Sequence, residues 1–419
     1  MLFIVHNGIH SIILFQEELI MPLTLSRCAK NIAPSLTLKI DAKAKEMKAN
    51  GIDVVGFGAG EPDFDTPEPI RNAAKEALDK GMTRYTPVPG TVSLRQAICD
   101  KLLKDNGLTY EPADIIVSNG AKHSLFTLLQ CILNEGDEVI IPTPCWVSYP
   151  EMVKMSGGVP VYVKTREEDN FIPSKEAMAA CISEKTKAFI LTSPSNPNGS
   201  VWSKQQLTDL ADLAVNNDFY VVSDEIYEKL LYDGKTHLSI AALNDDIKAR
   251  TLLVNGVSKS YAMTGWRIGY TAGPREVIKA MTNYQSQSAS NPNAMAQYAA
   301  TEALTGDQNC VETMRKEFEA RRNYMVKRLG AIPGLSCQMP EGAFYVMMNI
   351  KPLLGKKYNG QTVDTSMAFA DILLNEKHVA VVPGIAFEAE GYCRLSYAIS
   401  LEAIEKGLNR IAEFTAAMQ

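Results

Sequence analysis

The chain has 419 residues, 46% hydrophobic and 21% charged, with a formal net charge of -6. That length exceeds the ~250–300 residues at which a single core stops growing, so two domains are expected. No segment interleaves Lys/Arg with aromatics, which argues against nucleic acid as a partner; the eight scattered cysteines make no C-x-x-C pair and the five histidines no H-E-x-x-H pattern, so neither a zinc site, nor metal catalysis, nor a disulfide framework is indicated, and a reducing cytosol fits best.

In the first twenty residues the apolar patch 12–15 is too short for a membrane span, and with no basic n-region or small-residue cleavage site a signal peptide is not expected. Residues 1–20 read as an extension upstream of a natural start at Met21. From Pro67 onward helix and strand signals alternate. Helices are predicted over 68–80, ended by Gly81, and 122–133, ended near Gly136. Strands are predicted over 139–141, 160–163, 188–192, 220–223 and 252–255, all short, β-branched and bounded by turn residues. Ser203 and Gln206 form a capping-box pair opening a helix that ends near Asn216. This alternation predicts an α/β fold, a mostly parallel sheet with helices on both faces. After about residue 315 the pattern becomes α+β: a charged helix 314–329, a strand 343–348, a helix near 367–375, strands 379–382 and 394–397, and a closing helix. With no floppy linker, the domain boundary is expected inside a long helix.

Functional groups in such sheets gather at the carboxyl ends of the strands. Between a strand and a helix, the loop Ser118-Asn119-Gly120-Ala121-Lys122 offers backbone N–H groups and a helix dipole to a phosphate. Trp146, after Pro142-Thr143-Pro144-Cys145, either fills the core or stacks on an aromatic ring. Asn196 lies between two prolines, in what is either a plain tight loop or a rigid mount for an amide that reaches a ring oxygen. At the tip of the strand 220–223, Asp224 suits a protonated ring nitrogen and Tyr227, three residues on, a ring hydroxylate, if a helical turn begins there; a helix N-terminal Asp beside a packed Tyr is the plainer alternative. The segment 258–270 then supplies Ser258, Lys259 and Arg267. A lysine amine condenses with an aldehyde to a Schiff base, while a guanidinium and a hydroxyl hold a phosphate dianion. The run 265–270 alternates apolar and small residues, so Arg267 is expected on a buried strand, where it requires an anion. Arg394, among apolar neighbours in a strand pattern, pairs either with an internal acid or with a substrate carboxylate.

Together these segments resemble the pyridoxal-phosphate-dependent aminotransferases of the aspartate aminotransferase family, class I and fold type I, from about Met21 to the C-terminus. The resemblance is to the bacterial subgroup, through Gly58-Ala59-Gly60-Glu61-Pro62-Asp63-Phe64, Trp146-Val147-Ser148-Tyr149-Pro150 and Ala262-Met263-Thr264-Gly265-Trp266-Arg267. It implies an N-terminal arm and part of a small domain over 21–66, a large cofactor-binding domain over 67–315 and a small domain over 316–419. It implies that Lys259 holds pyridoxal 5'-phosphate covalently and moves the proton, that Asp224 keeps the pyridine nitrogen protonated, and that Tyr227 and Asn196 hold the ring oxygen. Ser258, Arg267 and the backbone of Gly120 and Ala121 bind the phosphate, with Trp146 on the ring. Arg394 grips the substrate α-carboxylate, assisted by Asn196 and Gly60, and Tyr85 reaches the phosphate of a neighbouring subunit, which makes a homodimer with shared active sites. A lysine placed as Lys122, with hydroxyls at Ser35 and Thr37, reads a distal carboxylate, which favours aspartate, with 2-oxoglutarate as acceptor. Ala33 stands where prephenate-accepting members carry a basic residue. Other members act on alanine or aromatic amino acids, and a C–S β-lyase shares the same Cα deprotonation; a cofactor-binding regulator is set aside because no basic helix-turn-helix signal precedes the enzyme-like region.

Overall fold

The computed structural model describes residues 24–419, so the expected extension 1–20 and the start at Met21 lie outside the described residues. The described residues up to Ile32 belong to a different unit from residues 33–419. In the first, the short helix Arg27–Asn31 is opened by Ser26, whose Oγ accepts a hydrogen bond from the Ala29 N–H at 3.1 Å.

The second unit is organised by a seven-stranded sheet. Its strands are β1 (Ile115–Ser118), β2 (Glu138–Thr143), β3 (Val159–Lys164), β4 (Thr186–Thr192), β5 (Tyr220–Asp224), β6 (Thr251–Gly256) and β7 (Gly269–Ala272). They lie in the order β1-β7-β6-β5-β4-β2-β3. Neighbours run parallel from β6 to β3, and β7 alone is antiparallel to both of its neighbours. Interior strands such as β6 and β7 are buried at every position, as a sheet covered on both faces requires. Alternate residues feed opposite cores: Val139, Ile190, Val222 and Leu252 pack under the helix Ala121–Ile132, while Phe189, Leu191 and Val221 pack under Lys204–Asn217. That latter helix opens with both bonds of the expected capping box between Ser203 and Gln206.

A second core is built on a three-stranded antiparallel sheet of β8 (Tyr345–Asn349), β9 (Val382–Pro383) and β10 (Tyr392–Ser396), with β10 in the centre. The helices Asn309–Gly330, Ser366–Lys377 and Leu401–Ala416 cover it around Phe318, Phe344, Phe369, Leu408 and Phe414. This core also takes in Ile226, Tyr227 and Leu230, from the turn that follows β5. The strand expected over 379–382 is broken in two: Val379–Ala380 pairs in parallel with Val55–Gly56, and β9 pairs with β10.

One expectation is corrected. The run 265–270 is not a buried strand; Thr264–Trp266 is a single 3-10 turn, Arg267 follows with a left-handed φ of 56°, and β7 begins only at Gly269. Arg267 is exposed in the chain. Its guanidinium donates to Thr264 O at 2.7 Å and Asn119 O at 3.3 Å, one local and one tertiary bond that hold a conformation no strand has.

The reversal of β7 has a geometric result. Gly269 lies opposite both Ser118 and Gly256, so the start of β7 meets the carboxyl ends of β1 and β6, and the loops carrying Gly120, Ser258 and Arg267 converge. The seam has no room for a side chain: a Cβ on Gly269 would fall 2.5 Å from Gly120 C and 2.7 Å from Ala121 Cα. Gly269→Ala is therefore expected to cost about 3 kcal/mol through overpacking, read as a lowered urea midpoint with unchanged m-value. A variant as stable as the parent would show that the seam yields.

Candidate active site

At this carboxyl edge the chain encloses a cavity of about 630 Å³. Lys259, Asp224, Tyr227, Asn196, Ser258, Arg267, Ala121, Lys122, Trp146, Gly60, Arg394, Ser35 and Thr37 all line it. Gly120 lies one residue outside the lining, beneath the Arg267 guanidinium, where a Cβ would come 2.7 Å from Arg267 Cζ; its φ of 87° is a further reason for glycine. Tyr85 is not in the cavity of its own chain and is 91% exposed.

Lys259 follows β6, and its Nζ donates to Gly60 O at 2.6 Å. Burial brings its pKa down to about 8, with Glu61 opposing that shift and Arg267 and Arg394 adding to it. The amine is thus partly unprotonated near neutral pH and can act as nucleophile or base.

Asp224 ends β5 and is fully enclosed. Burial raises its carboxyl to about 6, against the hydrogen bonds it accepts. Those come from Tyr149 Oη to Oδ2 at 2.7 Å and from the Ile226 N–H to Oδ1 at 3.3 Å. Tyr149 Oη also lies 2.7 Å from Thr192 Oγ1; a phenol has one hydrogen, so with Tyr149 donating to Asp224 the threonine is the donor to Tyr149. The neighbouring Glu225 is held elsewhere, accepting from Ser223 and Ser239 at 2.9 and 2.6 Å and bonded to His237 at 2.8 Å. After Asp224 the chain makes a turn that does not continue as a helix, yet it does carry Tyr227 into the cavity. Tyr227 Oη lies 2.9 Å from Tyr345 Oη.

Arg394, in the centre of the small sheet, is 3% exposed. Nη1 donates to Asn196 Oδ1 at 3.0 Å and Nη2 to Gly58 O at 2.9 Å. Its Nε has no partner, and among the described residues no carboxylate pairs with it. Its charge rests on the rings of Tyr345 and Phe387, 4.4 and 4.9 Å from the guanidinium carbon. A buried guanidinium in this condition is a receptor for a carboxylate. With Asn196 Oδ1 engaged by Arg394, its amide NH₂ is left as donor toward the cavity.

Also in the lining, Lys122 Nζ sits 4.8 Å over the Trp146 ring, and burial followed by the Arg267 charge lowers its pKa. Ser35 Oγ and Thr37 Oγ1 lie 2.8 Å apart. Sequence reasoning did not single out Tyr149, Thr192 or Tyr345. Tyr149 stood inside a quoted motif, but its bond to Asp224 spans 75 residues, and that of Tyr345 to Tyr227 spans 118, so no local pattern announced them.

A mostly parallel sheet whose carboxyl edge carries a reactive lysine, an enclosed aspartate and a tyrosine, with an unpaired arginine supplied by a second, smaller sheet, defines a pyridoxal-phosphate-dependent transferase of fold type I. The sequence profile of aminotransferase class I and II matches residues 52–411, and the chain belongs to that family. It is 52% identical to the aspartate aminotransferase of Bacillus sp. (strain YM-2), over 93% of this chain and 98% of that one. It is 45% identical to the aspartate/prephenate aminotransferase of Nitrosomonas europaea, over 93% and 98%. The crystal structure of the aspartate aminotransferase from Rhizobium meliloti superposes with a TM-score of 0.92 at 42% identity, covering 95% of this chain and 100% of that one. The family's cofactor is pyridoxal 5'-phosphate.

The depressed pKa of Lys259 has a kinetic signature. The rate at which the apoprotein captures pyridoxal 5'-phosphate covalently, followed by the appearance of visible absorbance, is expected to rise with pH around a midpoint near 8. A midpoint near the ordinary lysine value of ~10.4 would show that burial does not tune this amine.

Proposed function

We propose that this chain transfers the amino group of L-aspartate to 2-oxoglutarate, in the cytoplasm, as a homodimer. The observation that carries the reading is the buried, carboxylate-free Arg394 in one cavity with Lys259 and Asp224, with Lys122 also in the lining. The aspartate aminotransferase named above, at 52% identity over nearly the whole chain, supports the choice of substrate.

The donor set fits the cofactor. Asp224, enclosed and without an ion-pair partner among the described residues, suits a protonated ring nitrogen; the N–H groups opening the helix Ala121–Ile132, with Ser258 and Arg267, suit a phosphate; Tyr227 and the Asn196 amide suit the ring oxygen; Trp146 suits a face of the ring. Pyridoxal phosphate, when bound, supplies the aldehyde for Lys259 and a protonated ring that withdraws electrons from the substrate Cα. Arg394, with Asn196 and the backbone of Gly60, holds the α-carboxylate and so fixes which Cα–H bond faces the lysine. Lys259, once displaced by the substrate amine, takes the Cα proton as a base tuned close to the working pH. Amino donor and oxo-acid acceptor use the same cavity in turn, which makes the kinetics ping-pong.

For the side chain, Lys122 supplies a cation and Ser35 and Thr37 supply hydroxyls, and a second carboxylate bound there offsets the cost of burying the Lys122 charge. Ala33 has no basic group to offer a larger substrate; its N–H donates to Glu151 Oε2 at 3.1 Å. In this reading Tyr85, projecting from its own chain, completes the phosphate site of a second copy, and residues 67–315 and 316–419 act as large and small domains, with 21–66 as an arm and part of the small one. The division falls inside the helix Asn309–Gly330.

Aspartate is expected to exceed alanine, phenylalanine and prephenate as donor in side-by-side rates, and Lys122→Ala to lower kcat/KM for aspartate by roughly tenfold or more while changing that for alanine less than threefold. Equal losses on both would remove Lys122 from this role. The protein is also expected to sediment at twice the 46.0 kDa chain mass, with Tyr85→Phe weakening cofactor retention. A monomeric, fully active species would refute the shared site.

A further inference from the structure

We infer that Tyr345 is a positioning residue serving both ends of the reaction: its hydroxyl arms Tyr227, and its ring seats Arg394. Nothing in the residue's sequence context marks it. It begins β8 of the small sheet, is 1% exposed, and reaches the cavity lining.

The two phenols share a limited number of hydrogens. Tyr227 Oη and Tyr345 Oη are 2.9 Å apart, and either can donate in the free chain. Each phenol carries one hydrogen. This inference rests on the reading that Tyr227 donates to the cofactor's ring oxygen; once it does so, it can only accept from Tyr345. Tyr345 is then the donor, and a hydroxyl that accepts a hydrogen bond becomes a stronger donor in turn. The direction of the pair is therefore imposed by the ligand. The Tyr345 ring meanwhile lies 4.4 Å from the Arg394 guanidinium carbon, a cation–π contact inside an enclosed site, where such contacts are strongest. Ala343 shapes the chain just ahead of Tyr345: it has a left-handed φ of 58°, and its carbonyl accepts from the hydroxyls of Tyr232 and of Tyr397, the latter at 3.2 Å. The aromatic is thus held by a pinned backbone and not by a free strand end.

The two functions separate by substitution. Tyr345→Phe keeps the ring and removes the hydrogen, so it is expected to lower kcat roughly three- to tenfold with KM for aspartate within twofold. In the holoenzyme the pH midpoint of the visible cofactor band is expected to rise by about half a unit, because a weaker donor leaves the ring oxygen more basic. Tyr345→Leu removes the ring too and is expected to raise KM for aspartate by roughly tenfold on top of the same midpoint shift. Tyr227→Phe serves as the reference, with a larger rise in midpoint. If Tyr227→Phe moves the midpoint and Tyr345→Phe does not, the relay is overturned and the reading of Tyr227 stands. If Tyr227→Phe leaves the midpoint in place, the assignment of Tyr227 falls and the relay with it. A Tyr345→Phe variant whose KM rises with kcat unchanged would overturn the division of labour. Thermal midpoints of the apo variants, expected to match the parent for Tyr345→Phe, separate these effects from misfolding.

Discussion

Two opposite charges, Asp224 and Arg394, are enclosed at one edge of the sheet without forming an ion pair with each other or with any described residue. Enclosing an unpaired charge is among the costliest things a fold can do, and the architecture around the cavity reads as the means of tolerating both. Each charge is surrounded by dipoles and rings in place of a counter-ion: Tyr149 and a backbone N–H at Asp224, and the Asn196 amide, a glycine carbonyl and two aromatic faces at Arg394. Those supports hold the charges in place and leave them available to a ligand that brings the missing partners.

The supports come from far apart in the chain. Asp224 hangs from the large sheet, Arg394 and Tyr345 from the small one, and the turn carrying Tyr227 is packed into the core of the small sheet although it leaves the large one. The end of the cavity at Gly120 and Ala121 is built differently, through the close backbone approach of Gly269 to the helix opening at Ala121. Packing, not charge, sets that end.

Much of this was legible in the sequence, because the signals are local. Runs such as 188–192 and 220–223 are short, rich in strand-forming residues and bounded by turn residues, and Ser203 with Gln206 marks a helix start through contacts three residues apart. The groups at strand ends followed from the parallel topology. What escaped notice was of two kinds. The run 265–270 has the small and apolar composition of a strand, yet Arg267 turns left-handed because its guanidinium finds carbonyls at Asn119 and Thr264, one of them 148 residues away. The hydroxyl pairs of Tyr149 and Tyr345 likewise join residues that no periodicity connects, and a tyrosine in a buried strand looks the same in sequence whether its hydroxyl is idle or working.

The hydroxyls of Ser35 and Thr37 hang on a different part of the frame from Lys259, Asp224 and Lys122. Ser35 caps the helix Leu36–Ala49, whose Ile40 and Ala44 pack with Leu374 and Ala380, away from the large sheet. Substitutions along that helix therefore reshape the outer wall of the cavity without disturbing Lys259, Asp224 or the Gly269 seam. The layout is modular in an evolutionary sense: one reaction centre, left untouched, is compatible with many substrate preferences, each reached by small steps at the rim.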